Sequence, residues 1–144
     1  MKDMTTPPEV RDWVKARDVR QRVEFKAILA ACVLKPEGHT QKAGARNRLY
    51  TVTTIAATES YGGTRCIVVC DSFERAKKIV ETNEGDIFET TYWLAVIEAI
   101  IPNYLYHYED ERYWYLWKGT REEGQYLPIH GPKAYENTIG FGIG

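Results

Sequence analysis

The sequence predicts an α+β fold: a mostly antiparallel sheet with one main packed helix, plus an N-terminal helical extension. Three observations carry this expectation. Short runs rich in β-branched and aromatic residues recur after residue 48, divided by turns containing Gly, Pro or Asn. A single stretch of helical periodicity, residues 71–86, interrupts them. Ahead of them lies a long helical pattern that gives way to a Pro- and Gly-containing segment without periodicity. Residues 1–47 therefore read as a basic helical arm and linker, and residues 48–144 as the α+β domain.

The arm opens on Thr5, Thr6, Pro7 and Pro8, where hydroxyls can cap and proline suits the first turn. Up to about Leu34 the spacing is helical, with Val10, Val14, Phe25, Ile28 and Cys32 on one side and Arg17 and Gln21 interrupting the stripe. Its second half, FKAILAACVL, is apolar nearly all round, so the domain or another copy must cover it. KPEGHTQKAGARNR is the linker. LYTVTTIAA and RCIVVC are strands joined by the turn ESYGGT. DSFERAKKIVETNEGD follows as a helix, with Asp71 and Glu74 spaced as a capping pair and Asn83 or Gly85 at its end. TTYWLAVIEAI is β-like up to Pro102, and ERYWYLWK, the turn GTREEG and QYLPI form a hairpin. PKAYENT is a short helical turn, and the tail IGFGIG ends as a glycine-rich strand.

Composition narrows the function classes. A chain of 144 residues suits one compact domain with an appended arm. No apolar run has the length of a membrane span, and the first residues have no apolar core like a signal peptide, so a cytosolic location is the default. Residues 1–48 hold eleven Lys/Arg against six Asp/Glu and the rest eight against fourteen, about +5 and −6. This asymmetry suggests that arm and body touch, within one chain or between subunits, and the acidic body speaks against duplex nucleic acid. Packing of the N-terminal helix across a subunit boundary is the expectation we attach to it. Cys32, Cys66 and Cys70, like His39, His107 and His130, have no zinc spacing, so no metal and no cofactor is expected. On a regular strand Cys66 and Cys70 point to one face as buried thiols.

NYLYHYEDERYWYLWKG, residues 103–119, holds seven aromatic residues in seventeen positions. In a strand Tyr113, Tyr115 and Trp117 share one face and Trp114 and Leu116 the other, and rings on both faces usually mean that both are covered. One face, helped by Tyr104, Tyr106 or Tyr108, is alternatively a stacking wall for a base. Arg65 beside YGGT, Arg121 in TREEG and Arg112 beside the aromatic strand are the cations placed to grip a phosphate, each with a surface ion pair as the plain alternative. The glycines of YGGT could turn backbone N–H groups toward an anion. The acids Glu109, Asp110 and Glu111 read as a solvated loop. Glu89, Glu98 and His107 come with no recognisable nucleophile and base, so no catalytic residue and no enzyme activity is expected.

YTVTTIAA, TRC before a strand, SFERAKKIVE, GDIFE followed by AVIE, WYLWKG and the terminal GFGIG together resemble a group of small phage and Firmicute proteins that includes the Thoeris anti-defence sponge family. The resemblance covers residues 49–144 and leaves residues 1–48 as an extension. It implies a non-enzymatic phage protein that acts in the host cytoplasm. Such a protein holds a cyclic ADP-ribose isomer made by TIR-domain proteins, so that the defence effector stays inactive. Some members also bind cyclic oligonucleotide signals at separate sites, and the assemblies are homo-oligomeric, with ligand contacts from Arg, aromatic and Asn side chains of two subunits. By type and place this implies Arg65 and Arg121 for the phosphates, Trp93 or Phe88 for stacking, Asn103 for a polar edge and Arg112 beside them. The competing readings are an inhibitor that binds a host defence protein through its aromatic surface, and a hydrolase of cyclic nucleotides.

Overall fold

The structure is a computed structural model that describes residues 7–44, 47–103 and 111–135. Its elements in order are α1 (Pro8–Ala31), β1 (Leu49–Ile55), a 3-10 turn (Glu59–Tyr61), β2 (Thr64–Cys70), α2 (Phe73–Glu81), β3 (Leu94–Ile100), β4 (Arg112–Lys118), β5 (Gln125–Ile129) and a 3-10 turn (Lys133–Tyr135). The five strands form one antiparallel sheet in the order β2-β1-β3-β4-β5. Because β2 and β3 both pair antiparallel with β1, they run parallel to each other, and α2 is the crossover between them. The α+β fold with an antiparallel sheet is thus as the sequence predicts; the tail IGFGIG lies outside the described residues.

Alternation along the strands feeds two cores. Tyr50, Val52, Ala95, Ile97, Tyr113, Tyr115, Trp117 and Tyr126 point to one face, where Phe73, Ala76, Ile79 and Val80 of α2 cover them. Ile55, Leu94, Val96, Trp114, Leu116 and Ile129 point to the other, beneath Phe25, Ile28, Leu29 and Cys32 of α1. The rings of β4 are therefore core on both sides, which is why that strand carries aromatic residues without alternation to polar ones. Past α1 the chain returns along β5: Leu34 bridges Ile129, Lys35 N donates to Pro128 O at 2.9 Å, and His130 N donates to Val33 O at 2.9 Å. An edge strand that would otherwise offer free backbone groups is shielded in this way.

Local geometry departs from the sequence reading at three points. The cap of α2 is Ser72, whose side chain accepts from Arg75 N at 3.2 Å, one residue later than the Asp71 and Glu74 pairing. A hydroxyl in extended conformation at that position satisfies the first-turn N–H directly. The helix ends at Glu81 with Thr82 as its cap, and the left-handed Asn83 follows, with Asn83 N bonded to Val80 O and Glu84 N to Ile79 O. Cys66 is exposed while Cys70 is buried: between Val52 and Thr53 the pairing shifts from Val68 to Cys66, leaving Ile67 as the extra residue of a bulge. That bulge breaks the alternation that would have put both thiols on one face. Finally, of the predicted α1 stripe Phe25 is buried, Ile28 and Cys32 pack partly, and Val10 stays exposed. Arg17 and Gln21, which interrupt the stripe, reach Glu59 and Ser60 instead.

Candidate functional site

The register of the strands sorts the candidate residues onto the two ends of the sheet. Ile55 pairs with Thr64 and Leu94, Leu94 with Leu116, and Lys118 with Gln125, so the loop between α2 and β3, the start of β2 and the β4–β5 turn share one end. Arg65, Phe88, Trp93 and Arg121 gather there. Glu98 pairs with Arg112 near the opposite end, beside Asn103, so these two candidates stand apart from the other four.

The shared end is built around residues 83–93. Asn83, Gly85, Asp86, Glu89 and Thr90 all have positive φ there, between 49° and 66°. Asp86, Glu89 and Thr90 pay a steric cost at such angles that surrounding contacts must offset. Inside the loop Asn83 Oδ1 accepts from Phe88 N at 2.9 Å, and Asp86 Oδ1 accepts from Glu89 N at 3.3 Å. Beneath it Phe88 stacks on Trp117, centroids 4.0 Å apart and planes 9° apart, with Trp93 edge-on at 5.0 Å. Tyr126 donates its hydroxyl to Tyr92 O at 2.5 Å from below. Burial raises the Tyr126 phenol far above its usual range, with the charges of Asp86 and Glu89 adding to it.

Two arginines grip the outside of this loop. Arg65 Nη2 lies 2.6 Å from Glu89 Oε2, with its guanidinium 4.9 Å from the Tyr92 ring centre. Arg121 Nη2 lies 2.5 Å from Asp86 Oδ2. Both pairs are about half exposed. For Asp86, partial desolvation works upward, but the bonds from Arg121 and from Glu89 N outweigh it and hold the carboxyl below its ordinary value. Arg65 stands on β2 at one edge of the sheet and Arg121 beside the other edge, yet the carboxylates they hold are only three residues apart on one loop. A three-residue separation spans at most about 11 Å of chain.

The turn next to Arg65 does not work as an anion nest. Gly62 N donates to Glu59 O and Gly63 N to Thr58 O, so these N–H groups are already used. What glycine provides at position 62 is room: with φ at 104°, a Cβ there would come within 2.5 Å of the Tyr92 hydroxyl. Tyr92 is thus pressed between the turn and the Arg65 guanidinium.

The remaining candidates are placed as follows. Phe88 is buried, with its ring enclosed by Trp117, Trp93 and Tyr126. Trp93 is half-buried and touches both cores at the rim of the sheet. Arg112 Nε pairs with Glu98 Oε2 at 3.1 Å, both largely buried. Asn103 is exposed and left-handed, at φ 69°. Glu111, read as part of a solvated acidic loop, is instead buried, and its Oε2 accepts from the Tyr113 hydroxyl at 2.9 Å. The strand pairing that fixes Arg112 draws its neighbour in with it. Tyr104, Tyr106, His107, Tyr108, Glu109 and Asp110 lie outside the described residues.

Among the described residues no group of three His, Cys, Asp or Glu side chains is placed to hold a metal ion, and no helix is long and apolar enough to cross a membrane. Compared with protein families, curated proteins and solved structures, the chain matches none. Two participants escape sequence reading, Asp86 and Tyr92, and Glu89 is weighed there only as a catalytic acid, not as the partner of an arginine. The run NEGDIFETT carries the Asn, Gly and Asp expected of left-handed turns, but nothing in it shows which acids would face an arginine.

Proposed function

We propose that the protein sequesters a cyclic ADP-ribose isomer without degrading it, so inhibiting a host Thoeris-type defence, and that it does so as a homo-oligomer in the host cytoplasm. The observation that carries this reading is the pair of half-exposed guanidinium groups, Arg65 and Arg121, held at one end of the sheet by two carboxylates of a single left-handed loop, next to Tyr92 and Trp93. Each phosphate of a diphosphate turns two oxygens toward a guanidinium fork, as a carboxylate does, and carries more charge, so it can replace Asp86 and Glu89 as the partner of both arginines. The half-buried Trp93 ring beside them suits an adenine. Arginines and rings bind such a ligand, but neither group activates water, and this favours holding over cleavage. A second subunit would close the site and remove water from it, strengthening each charged contact. The competing idea of a partner patch made from the aromatic strand finds no support in Tyr113–Trp117, whose rings are buried.

The test is to incubate the purified protein with a TIR-derived cyclic ADP-ribose isomer, remove unbound compound, heat the protein and analyse the supernatant by mass spectrometry. Intact ligand released by heat is the expected result. A converted product would make the protein a hydrolase. Unretained and unchanged compound would direct the search to a protein target, and a parallel incubation with cyclic oligonucleotides checks the second ligand class. Arg65→Ala and Arg121→Ala should each weaken binding by about 1.5 kcal/mol or more, the value of a charged hydrogen bond. Parental affinity in both variants would remove the site from this end of the sheet.

A further inference from the structure

Besides the face it docks on the sheet, α1 has a second apolar face. Ala16, Val19, Val23, Ala27 and Ala30 recur at steps of three and four residues, and all five are exposed, Val19 at 62% and Val23 at 65%. Trp13 is 60% exposed, on the same flank of this stripe as Arg20, Glu24 and Ala31. Along that flank runs an apolar groove of about 650 Å³, between Ala27, Ala31 and Val33 on one wall and Gly131, Pro132 and Ala134 on the other.

We propose that a second copy of this chain covers this face, the two α1 helices packing antiparallel about a two-fold at Val23, with Trp13 of each copy seated in the groove of the other. The spacing is self-complementary. About Val23, Ala16 falls opposite Ala30 of the partner subunit and Val19 opposite Ala27 of the partner subunit, and small residues at these places let helices approach closely. Trp13 lies ten residues before Val23, about 15 Å at the helical rise, and Ala31 at the end of α1 lies eight after it, about 12 Å, so Trp13 reaches just past the end of the partner's helix, where Val33 lines the groove. In a pair related by such an axis like flanks meet, so Trp13 arrives on the side where the partner's groove opens. Charges agree with this pairing on that flank: Arg20 comes next to Glu24 of the partner subunit, and Glu9 and Asp12 approach Lys35 and Lys133 near the partner's groove. On the opposite flank Arg22 meets its own copy and Lys26 of the partner subunit, a solvent-exposed repulsion that moderate salt screens. The proposal stands independently of the nucleotide reading, since the seam needs no ligand.

Sedimentation velocity of the full chain should show a dimer, and Val23→Glu, which touches no core residue, should give a monomer with unchanged near-ultraviolet circular dichroism. Trp13→Ala should weaken the dimer about tenfold or more, as for a buried aromatic anchor. Register is read by crosslinking in a Cys66→Ser background. Val23→Cys should join to itself on mild oxidation, whereas Ala16→Cys should join to Ala30→Cys and not to itself. A parent that stays monomeric overturns the proposal and leaves the groove to residues 136–144 or to another protein. Self-joining of Ala16→Cys would mean a parallel seam and overturn it equally, as would a dimer untouched by Val23→Glu.

Discussion

The two helices lie on opposite faces of one sheet and are held by different means. α2 has nine residues, a side-chain cap at Ser72, a left-handed stop at Asn83 and one apolar face whose four residues are all buried. α1 has twenty-four residues, follows Pro7 without a side-chain cap, and buries Phe25 alone. Its polar link to the body is the group formed by Arg17 and Gln21 with Glu59 and Ser60. A helix finished at both ends and on its whole apolar face is part of the domain; one with apolar residues on two faces is finished only when something else covers the second.

The comparison breaks first on the anchoring phenylalanines. Phe73→Ala empties the core between α2 and the rings of Tyr50 and Tyr113, and should cost about 3–5 kcal/mol, seen as a lower denaturant midpoint for the whole domain. Phe25→Ala should cost less, about 2 kcal/mol, because α1 can leave the sheet without unfolding it. Hydrogen exchange separates the two: the first variant should lower protection in β1, β3 and β4 together, and the second in α1 alone. Equal losses across the molecule in the Phe25 variant would make α1 an integral part of the domain.

A smaller effect tests what supports the α2 side from the linker. His39 is buried there, its Nε2 2.7 Å from Trp114 O and its ring edge-on to Tyr113 and Tyr115. Burial lowers its pKa, only partly offset by the bond to Trp114, and Lys35, His130 and Lys77 push the same way as burial. The unfolded chain therefore takes up the proton first as pH falls. Stability from His39 is fully present above about pH 6.5 and is lost as pH falls through the lowered folded value. Denaturant midpoints should hold steady from pH 8 to about 7 and decline below about 6.5. His39→Ala should be less stable by about 2 kcal/mol at pH 8 and lack that decline. A decline of equal size in the variant would assign it to other groups. Asp86 and Glu84, held low by Arg121 and Arg75, add their own loss only in the carboxylate range below about pH 4.

Much of this architecture can be read in the residues. Strands rich in β-branched and aromatic residues, the stop of α2 at Asn83 and the two-faced aromatic strand follow from periodicity and turn chemistry, because these are local rules. The bulge at Ile67 does not, since it is a property of how β2 meets β1, and it sends Cys66 to solvent. The candidate site divides along the same line. Residue type and place in the turns mark Arg65 and Arg121, and the fold brings them to one loop. Their partners Asp86 and Glu89 depend on a run of left-handed residues whose geometry is set by the packing of Phe88 beneath it. Glu111 looked like surface for a similar reason: nothing in EDER shows that a Tyr113 hydroxyl will draw one of three acids inward.

The finest test of the contrast between the helices exchanges their caps. Ser72→Ala removes the acceptor for Arg75 N and should cost about 1 kcal/mol of domain stability, since α2 cannot fray without opening the core it covers. Pro7 already has the extended backbone of a cap, with ψ at 151°, but lacks a side-chain acceptor for the first-turn N–H groups. Pro7→Ser supplies one, and by the same rule should stabilise the first turn of α1 by a few tenths of a kcal/mol up to about 1. If α1 is anchored only from Arg17 onward, that gain should appear as slower amide exchange in its first turns, with no change in the denaturant midpoint. A shift of the midpoint would mean that the first turns of α1 are already coupled to the domain, through its own sheet or through a second copy, and repeating the measurement with Val23→Glu tells these two apart.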